Sequence, residues 1–194
     1  ELRDYESTLK FILDPKSIPV RGKSVFSPPL DSLMSVSKTK WLDLNLITQM
    51  FGKTVASQRL YVSGSHNGTD FRATVGTKVM AMAEGVVEGT GNTDLTCPRA
   101  SFGKWVFIRY KNGLASTYGH LSLISVSQGD VVSGGSLVGY SGNTGYSTGP
   151  HLHVSVYANE GVNVETRPSV ACVGSTYTMP IAAISAYLDP MDYL

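Results

Sequence analysis

Residues 149–157 read Gly149-Pro150-His151-Leu152-His153-Val154-Ser155-Val156-Tyr157, with Leu152, Val154 and Val156 alternating against His151 and His153. Alternation with a period of two marks a β-strand whose two faces differ. In a strand, positions i and i+2 share a face, with Cα atoms roughly 6.5–7 Å apart. The apolar set then faces a core while both imidazoles face a cleft. One imidazole can bind a metal while the other stands over its open coordination position. Taken alone, such an H-x-H run reads as a polar strand face that happens to carry two histidines.

The other histidines change that reading. The chain has 194 residues and four histidines, all in short glycine-flanked motifs. The two further motifs are Ser65-His66-Asn67-Gly68-Thr69-Asp70-Phe71 and Tyr118-Gly119-His120-Leu121-Ser122. His66 and Asp70 are four apart, and Asn67-Gly68 between them predicts a tight turn entering a strand. By itself His66 is an exposed turn residue and Asp70 a capping carboxylate. His120 follows a predicted hairpin, and extended geometry puts Tyr118 and His120 on one face. Together the motifs supply two histidines and a carboxylate for a mixed N/O site that suits Zn²⁺, with a fourth position left for water. Two histidines remain for proton transfer near neutral pH. The chain lacks an H-E-x-x-H helix, a G-x-S-x-G elbow and a recognisable cysteine nucleophile motif, so the general base has to come from elsewhere.

Composition sets the frame. Hydrophobic residues at 42%, charged residues at 16%, 20 Gly and 9 Pro describe a globular, turn-rich β protein. A net charge of +1 gives no electrostatic case for nucleic acid or an acidic membrane surface. No apolar run approaches the roughly 18–20 residues that span a bilayer. Glu1-Leu2-Arg3-Asp4 carries neither an initiator Met nor a signal-peptide pattern, so a mature form or an excised fragment is expected. Cys97 and Cys172 lie outside any C-x-x-C spacing and form either a disulfide or two buried thiols.

Along the chain, Leu2, Tyr5, Leu9, Ile12 and Leu13 form a helical stripe stopped by Asp14-Pro15, and residues 15–30 read as a linker. Strands are expected at 78–82, 86–88, 104–110, 114–118, 136–140 and 152–157, with Asn112-Gly113 turning a hairpin. Residues 92–101 around Cys97-Pro98 look like a loop insertion. Thr178-Met179-Pro180 followed by IAAISAYL reads as a short helix ended by Asp189-Pro190. The expected organisation is an N-terminal helix and linker over 1–25 and one domain over 26–194. The domain is mainly β, antiparallel and sandwich-like, with short helices at the ends.

H-x-x-x-D, Y-x-H-L-S and S-G-N-T-G-x-S-T-G-P-H-L-H together resemble the lysostaphin/LytM-type zinc metallopeptidases that cut peptidoglycan peptides. Ile47–Gly52, Gly76–Ala81 and the glycine-rich run from Gly129 to Gly142 also fit that pattern, which covers roughly 46–157 and leaves 158–194 as an extension. The resemblance implies one zinc per chain held by His66, Asp70 and His153, with His120 and His151 as the catalytic pair. It further implies a peptidoglycan peptide substrate and an exported enzyme, expected as a monomer, in the periplasm, cell envelope or extracellular space. All five positions are filled. Relatives that have lost ligands instead activate other cell-wall hydrolases, which makes a regulator the competing expectation. Tyr118, Asn143 and Thr144 are expected to line the groove. Residues 31–45, the Cys97 loop and the tail with Cys172 depart from the compact pattern.

Overall fold

A computed structural model of the chain describes residues 24–30, 44–61 and 63–194. The expected helix over 1–13 and most of the linker lie outside the described residues. In chain order the elements are β1 (Ile47–Gln49), α1 (Val55–Leu60), β2 (Thr69–Arg72), β3 (Lys78–Met80), β4 (Gly85–Asn92), β5 (Lys104–Tyr110) and β6 (Leu114–Leu121). They continue with β7 (Leu123–Ile124), β8 (Val131–Val132), β9 (Leu137–Tyr140), β10 (His151–Ala158), β11 (Val162–Pro168), β12 (Thr176–Ala182) and β13 (Tyr187–Leu188). An eight-stranded sheet runs β1-β2-β10-β6-β5-β4-β8, with β13 also paired to β10. A three-stranded sheet, β3-β9-β7, and a β11-β12 ribbon complete the architecture. Every strand pairing in these sheets is antiparallel.

The large sheet is buried on both faces, and strand alternation assigns each residue to one of them. Leu152, Val154 and Val156 join Phe71, Val106, Ile108, Leu114 and Tyr118 in the larger apolar cluster, together with Val79 of β3 and Val138 of β9. The three-stranded sheet therefore covers this face. On the other face, Trp105, Phe107, Ala115 and Tyr157 pack with Val162, Val164 and Met179 of the ribbon. His153 lies on that second face, where the apolar cover gives way to the cleft. Phe26 sits in the main core, and the Val25 and Phe26 amides both donate to the Tyr193 carbonyl (3.0 and 3.1 Å), joining the start of the domain to its end.

One expectation fails at the C-terminus. The segment expected to be a helix completes β12, makes a 3₁₀ turn at Ile184–Ala186 and enters β13. Pro180 lies within the ribbon opposite Val164. A two-stranded ribbon is all edge, so a residue without an N–H can be accommodated there. The ribbon tip is joined to the 92–103 loop by a Cys97–Cys172 disulfide spanning 75 residues. Chain-entropy reasoning assigns a closed loop of that length about 4–5 kcal/mol. Replacing both cysteines by serine is expected to lower urea-unfolding stability by up to about that amount. An unchanged midpoint would show that the bridge constrains nothing.

Candidate metal centre

The site begins with register. Asp70 of β2 and His153 of β10 are direct cross-strand partners, and Gly119 of β6 faces His153 from the other side. Opposed residues in an antiparallel pair have Cβ atoms about 4.5–5.5 Å apart, so the pairing itself brings carboxylate and imidazole together. His66 arrives from the turn before β2. Its amide and carbonyl exchange hydrogen bonds with Gly52 (2.9 and 2.8 Å). Gly68 follows beneath His153, where any Cβ would overlap the His153 ring and the Val154 carbonyl. Only glycine fits that close approach.

Three ligand atoms converge. Asp70 Oδ1 is 2.9 Å from His153 Nδ1 and 3.3 Å from His66 Nε2, and the two nitrogens are 3.2 Å apart. All three residues are buried. Their other polar atoms show what these atoms offer. His66 Nδ1 donates to the Met50 carbonyl (3.1 Å), leaving Nε2 as a lone pair. His153 Nε2 pairs with Ser155 Oγ (2.8 Å), a hydroxyl able to accept its N–H, and in that tautomer Nδ1 is a lone pair. Two imidazole lone pairs and a carboxylate oxygen thus face one another in a buried space, an arrangement that calls for a cation. Tetrahedral zinc with bonds of about 2.0–2.1 Å separates its ligands by about 3.3–3.4 Å. Two sides of the triangle, 3.2 and 3.3 Å, match that spacing, the Asp70–His153 side is shorter at 2.9 Å, and three ligands leave a fourth coordination position. The residues present fit one zinc ion.

Electrostatics agree with this assignment. Burial alone would raise the Asp70 carboxyl, but contact with the His153 and then the His66 imidazole outweighs it and holds the group well below the usual carboxylate range. Burial lowers His153. His120 is pushed down to about 3, first by burial and then by the neighbouring His153 and His151. Burial therefore favours the neutral form of His120 and His153, the form that binds metal or accepts a proton.

His120 and His151 stand beside the triangle. Their ring centroids are 4.6 Å apart, and His120 is 5.8 Å from His153. His120 Nδ1 donates to the Thr144 carbonyl (2.7 Å), and His151 Nδ1 donates to the Gly149 carbonyl (2.8 Å). Both Nε2 atoms are left for chemistry, and that of His151 lies 3.6 Å from Asp70 Oδ1. His120 reaches this face through a bulge. It has φ +60°, and the β5–β6 register shifts between Lys104/Leu121 and Val106/Tyr118. An extra residue in one strand re-aims a side chain, and non-glycine residues at positive φ concentrate at functional sites.

The bulge also overturns the expectation that Tyr118 shares a face with His120 and lines the groove. Tyr118 is fully buried in the main core, with its hydroxyl bonded to the Met82 amide (3.0 Å) and Tyr110 (2.8 Å). Thr144 acts mainly from behind His120. Its hydroxyl donates to the Leu121 carbonyl and accepts from the Lys104 amide. Asn143 is exposed and accepts from Ser147 Oγ (2.7 Å) in the loop behind His151. Tyr61, which the motifs did not single out, stacks on His66 with centroids 5.5 Å apart and planes 9° apart. Burial, then the Asp70 charge, raise its phenol to about 12, so it stays protonated beside the site. The capping box of α1, Thr54 with Ser57, fixes the helix that delivers it.

The family model for peptidase family M23 matches residues 64–167, more than half of the chain. The chain belongs to peptidase family M23. The M23 match contains all five site residues, while Tyr61 lies just outside it. Among curated relatives, the peptidoglycan DD-endopeptidase ShyA of Vibrio cholerae is 48% identical over 88 residues, covering 45% of this chain and 19% of its own. The DD-carboxypeptidase/endopeptidase Mpg of Neisseria meningitidis is 43% identical over 94 residues, covering 48% of this chain and 20% of its own. The chain thus spans about a fifth of the length of these relatives. Among solved structures, the catalytic domain of lysostaphin from Staphylococcus simulans aligns with TM-score 0.54 and 26% identity, over 75% of this chain and 88% of its own.

Two measurements check this M23 centre. Ser155→Ala is expected to weaken zinc affinity about 10–100-fold, as loss of a ligand's hydrogen-bond partner usually does, in a competition titration with a chelating dye; unchanged affinity would remove Ser155 from the site. The second concerns pH. In metal-free protein His120 and His153 are held below their ordinary value of 6.5, so the unfolded chain takes up protons first as pH falls. The His120 contribution is complete above about 6.5 and is lost as pH falls towards about 3, and His153 acts in the same direction. The melting temperature of chelator-treated protein should decline across that window, and a flat profile would contradict buried neutral imidazoles.

Proposed function

We propose that this chain is a zinc-dependent endopeptidase that hydrolyses peptide bonds in peptidoglycan stem peptides or cross-bridges. The observation that carries the reading is the pair His120 and His151, which the metal triangle does not need. Each is fixed as the Nδ1–H tautomer by a backbone carbonyl, with Nε2 left as a proton acceptor. Zinc in a three-ligand site supplies Lewis acidity, polarising a carbonyl and acidifying water.

The protein's own residues supply the rest. His66, Asp70 and His153 serve as the ligands. His120 and His151 orient the attacking water, take its proton and return one to the leaving amine. Once protonated, either imidazole donates from Nε2 towards the developing oxyanion. Tyr61 walls the His66 side with a protonated phenol. The substrate class is supported by the activities for which the relatives are named, which include DD-endopeptidases and a glycyl-glycine endopeptidase.

The Cys97–Cys172 bridge favours an oxidising compartment, consistent with export to where peptidoglycan lies. No helix among the described residues is long and apolar enough to cross a membrane. All five site residues come from one chain, which supports action as a monomer. The catalytic domain is taken as residues 26–194, because Phe26 and Tyr193 close it at both ends.

Purified peptidoglycan incubated with the protein should release muropeptides with newly exposed peptide termini, identified by mass spectrometry. Chelation should abolish release and zinc restore it. His120→Ala is expected to lower the rate by about 10²–10⁴-fold, the usual share of a general base, at unchanged zinc content. A zinc-loaded wild type that cuts nothing but stimulates another cell-wall hydrolase would instead make the chain a regulator.

A further inference from the structure

The 92–103 loop does more than extend the fold, because its one carboxylate reaches the peptide bond that orients His120. Asp94 Oδ2 accepts from the Gly145 amide at 2.9 Å, and Oδ1 accepts from the Arg99 amide at 2.7 Å. Gly145 N–H belongs to the same peptide group as the Thr144 carbonyl, which accepts from His120 Nδ1 at 2.7 Å. No described peptide bond is cis, so that amide and carbonyl point in opposite directions. Asp94 therefore stands on one side of the Thr144–Gly145 peptide and His120 on the other, in one hydrogen-bonded chain. A carboxylate on the N–H end polarises the peptide and strengthens its carbonyl as an acceptor.

The loop is built to hold Asp94 in place. The Asp94 amide donates to Asn92 Oδ1 (3.1 Å), and buried Thr93 ties the loop's two ends through Ala100 and Gly103 (2.7 and 3.0 Å). The Cys97–Cys172 bridge anchors the same loop to the ribbon. The two loops meet at Gly103 and Gly145, both at positive φ and so close that a Cβ on either would strike the other's backbone.

Resting on the reading of His120 as a proton carrier, we propose that Asp94 is a positioning residue for that histidine, acting through the Thr144–Gly145 peptide. It sets the tautomer and aim of the ring without touching substrate or metal. The loop that departs from the compact family pattern thereby becomes part of the catalytic support.

The test compares zinc-loaded wild type, Asp94→Ala, Asp94→Asn and His120→Ala, all as the full 194-residue chain. NMR follows Gly145 amide exchange and the His120 Nδ1–H resonance; muropeptide hydrolysis gives kcat and KM. In Asp94→Ala, Gly145 exchange is expected to accelerate about 10-fold or more, and the His120 Nδ1–H signal to shift or broaden away. Its kcat should fall about 10–100-fold with KM, zinc content and melting temperature near wild type. Asp94→Asn keeps one oxygen acceptor and should recover part of that loss. The proposal is overturned if Asp94→Ala leaves the Gly145 and His120 signals unchanged, or if its activity falls only in step with zinc or folding. If those signals move while His120→Ala keeps full activity, Asp94 still positions the ring and it is the catalytic reading of His120 that fails.

Discussion

The pairing of Asp70 with His153 across β2 and β10 is the contact on which the rest of the site depends. A buried carboxylate is costly unless it is paired. Here it sits against His153 and His66, with the metal expected among all three. Because strand side chains alternate, a slip of one residue in this pairing would send His153 into the core and Leu152 into the cleft. The apolar face of β10 prevents that slip. Leu152, Val154 and Val156 are each fully buried in the main cluster, so the wrong register would expose them and bury imidazoles in their place. The hydrophobic core thus specifies the metal centre's geometry without touching the metal.

A second constraint is the set of backbone carbonyls behind the imidazoles. Met50, Thr144 and Gly149 each accept from a histidine Nδ1, and each belongs to a segment outside the paired strands. Backbone oxygens are cheap to aim once a loop is fixed, and they specify a tautomer unambiguously. His153 differs, with its Nε2 bound to Ser155 two residues along the same strand. That pairing makes Nδ1 its candidate ligand atom, whereas His66 offers Nε2. Sequence motifs name the residues, but loop placement decides which nitrogen each presents.

Much of this was legible in the sequence, for identifiable reasons. The run 104–110 appears as β5 with the same bounds, and the alternation in 151–157 correctly separates core from cleft. Both signals are local and periodic. The bulge at His120 was not legible, because a Tyr-Gly-His run looks like extended strand until its partner's register is known. Tyr118 was misplaced for that reason. The helix expected near the C-terminus failed because Ile181-Ala182-Ala183 has helical composition, while pairing with β11 decides its conformation. Tyr61 is not legible in the sequence, because an aromatic five residues before His66 acquires meaning only when α1 folds it onto that ring. Asp94 carries no signal in the sequence, since its partner peptide is 51 residues away.

The central claim is a division of labour: two histidines and one carboxylate hold the ion, and the other two histidines stay off it. X-ray absorption at the zinc edge of the purified, zinc-loaded protein tests this most directly. The account predicts two imidazole nitrogens and two oxygens at about 2.0–2.1 Å, one oxygen from Asp70 and one from solvent. Three or four coordinated imidazoles would place His120 or His151 in the ligand shell and contradict it.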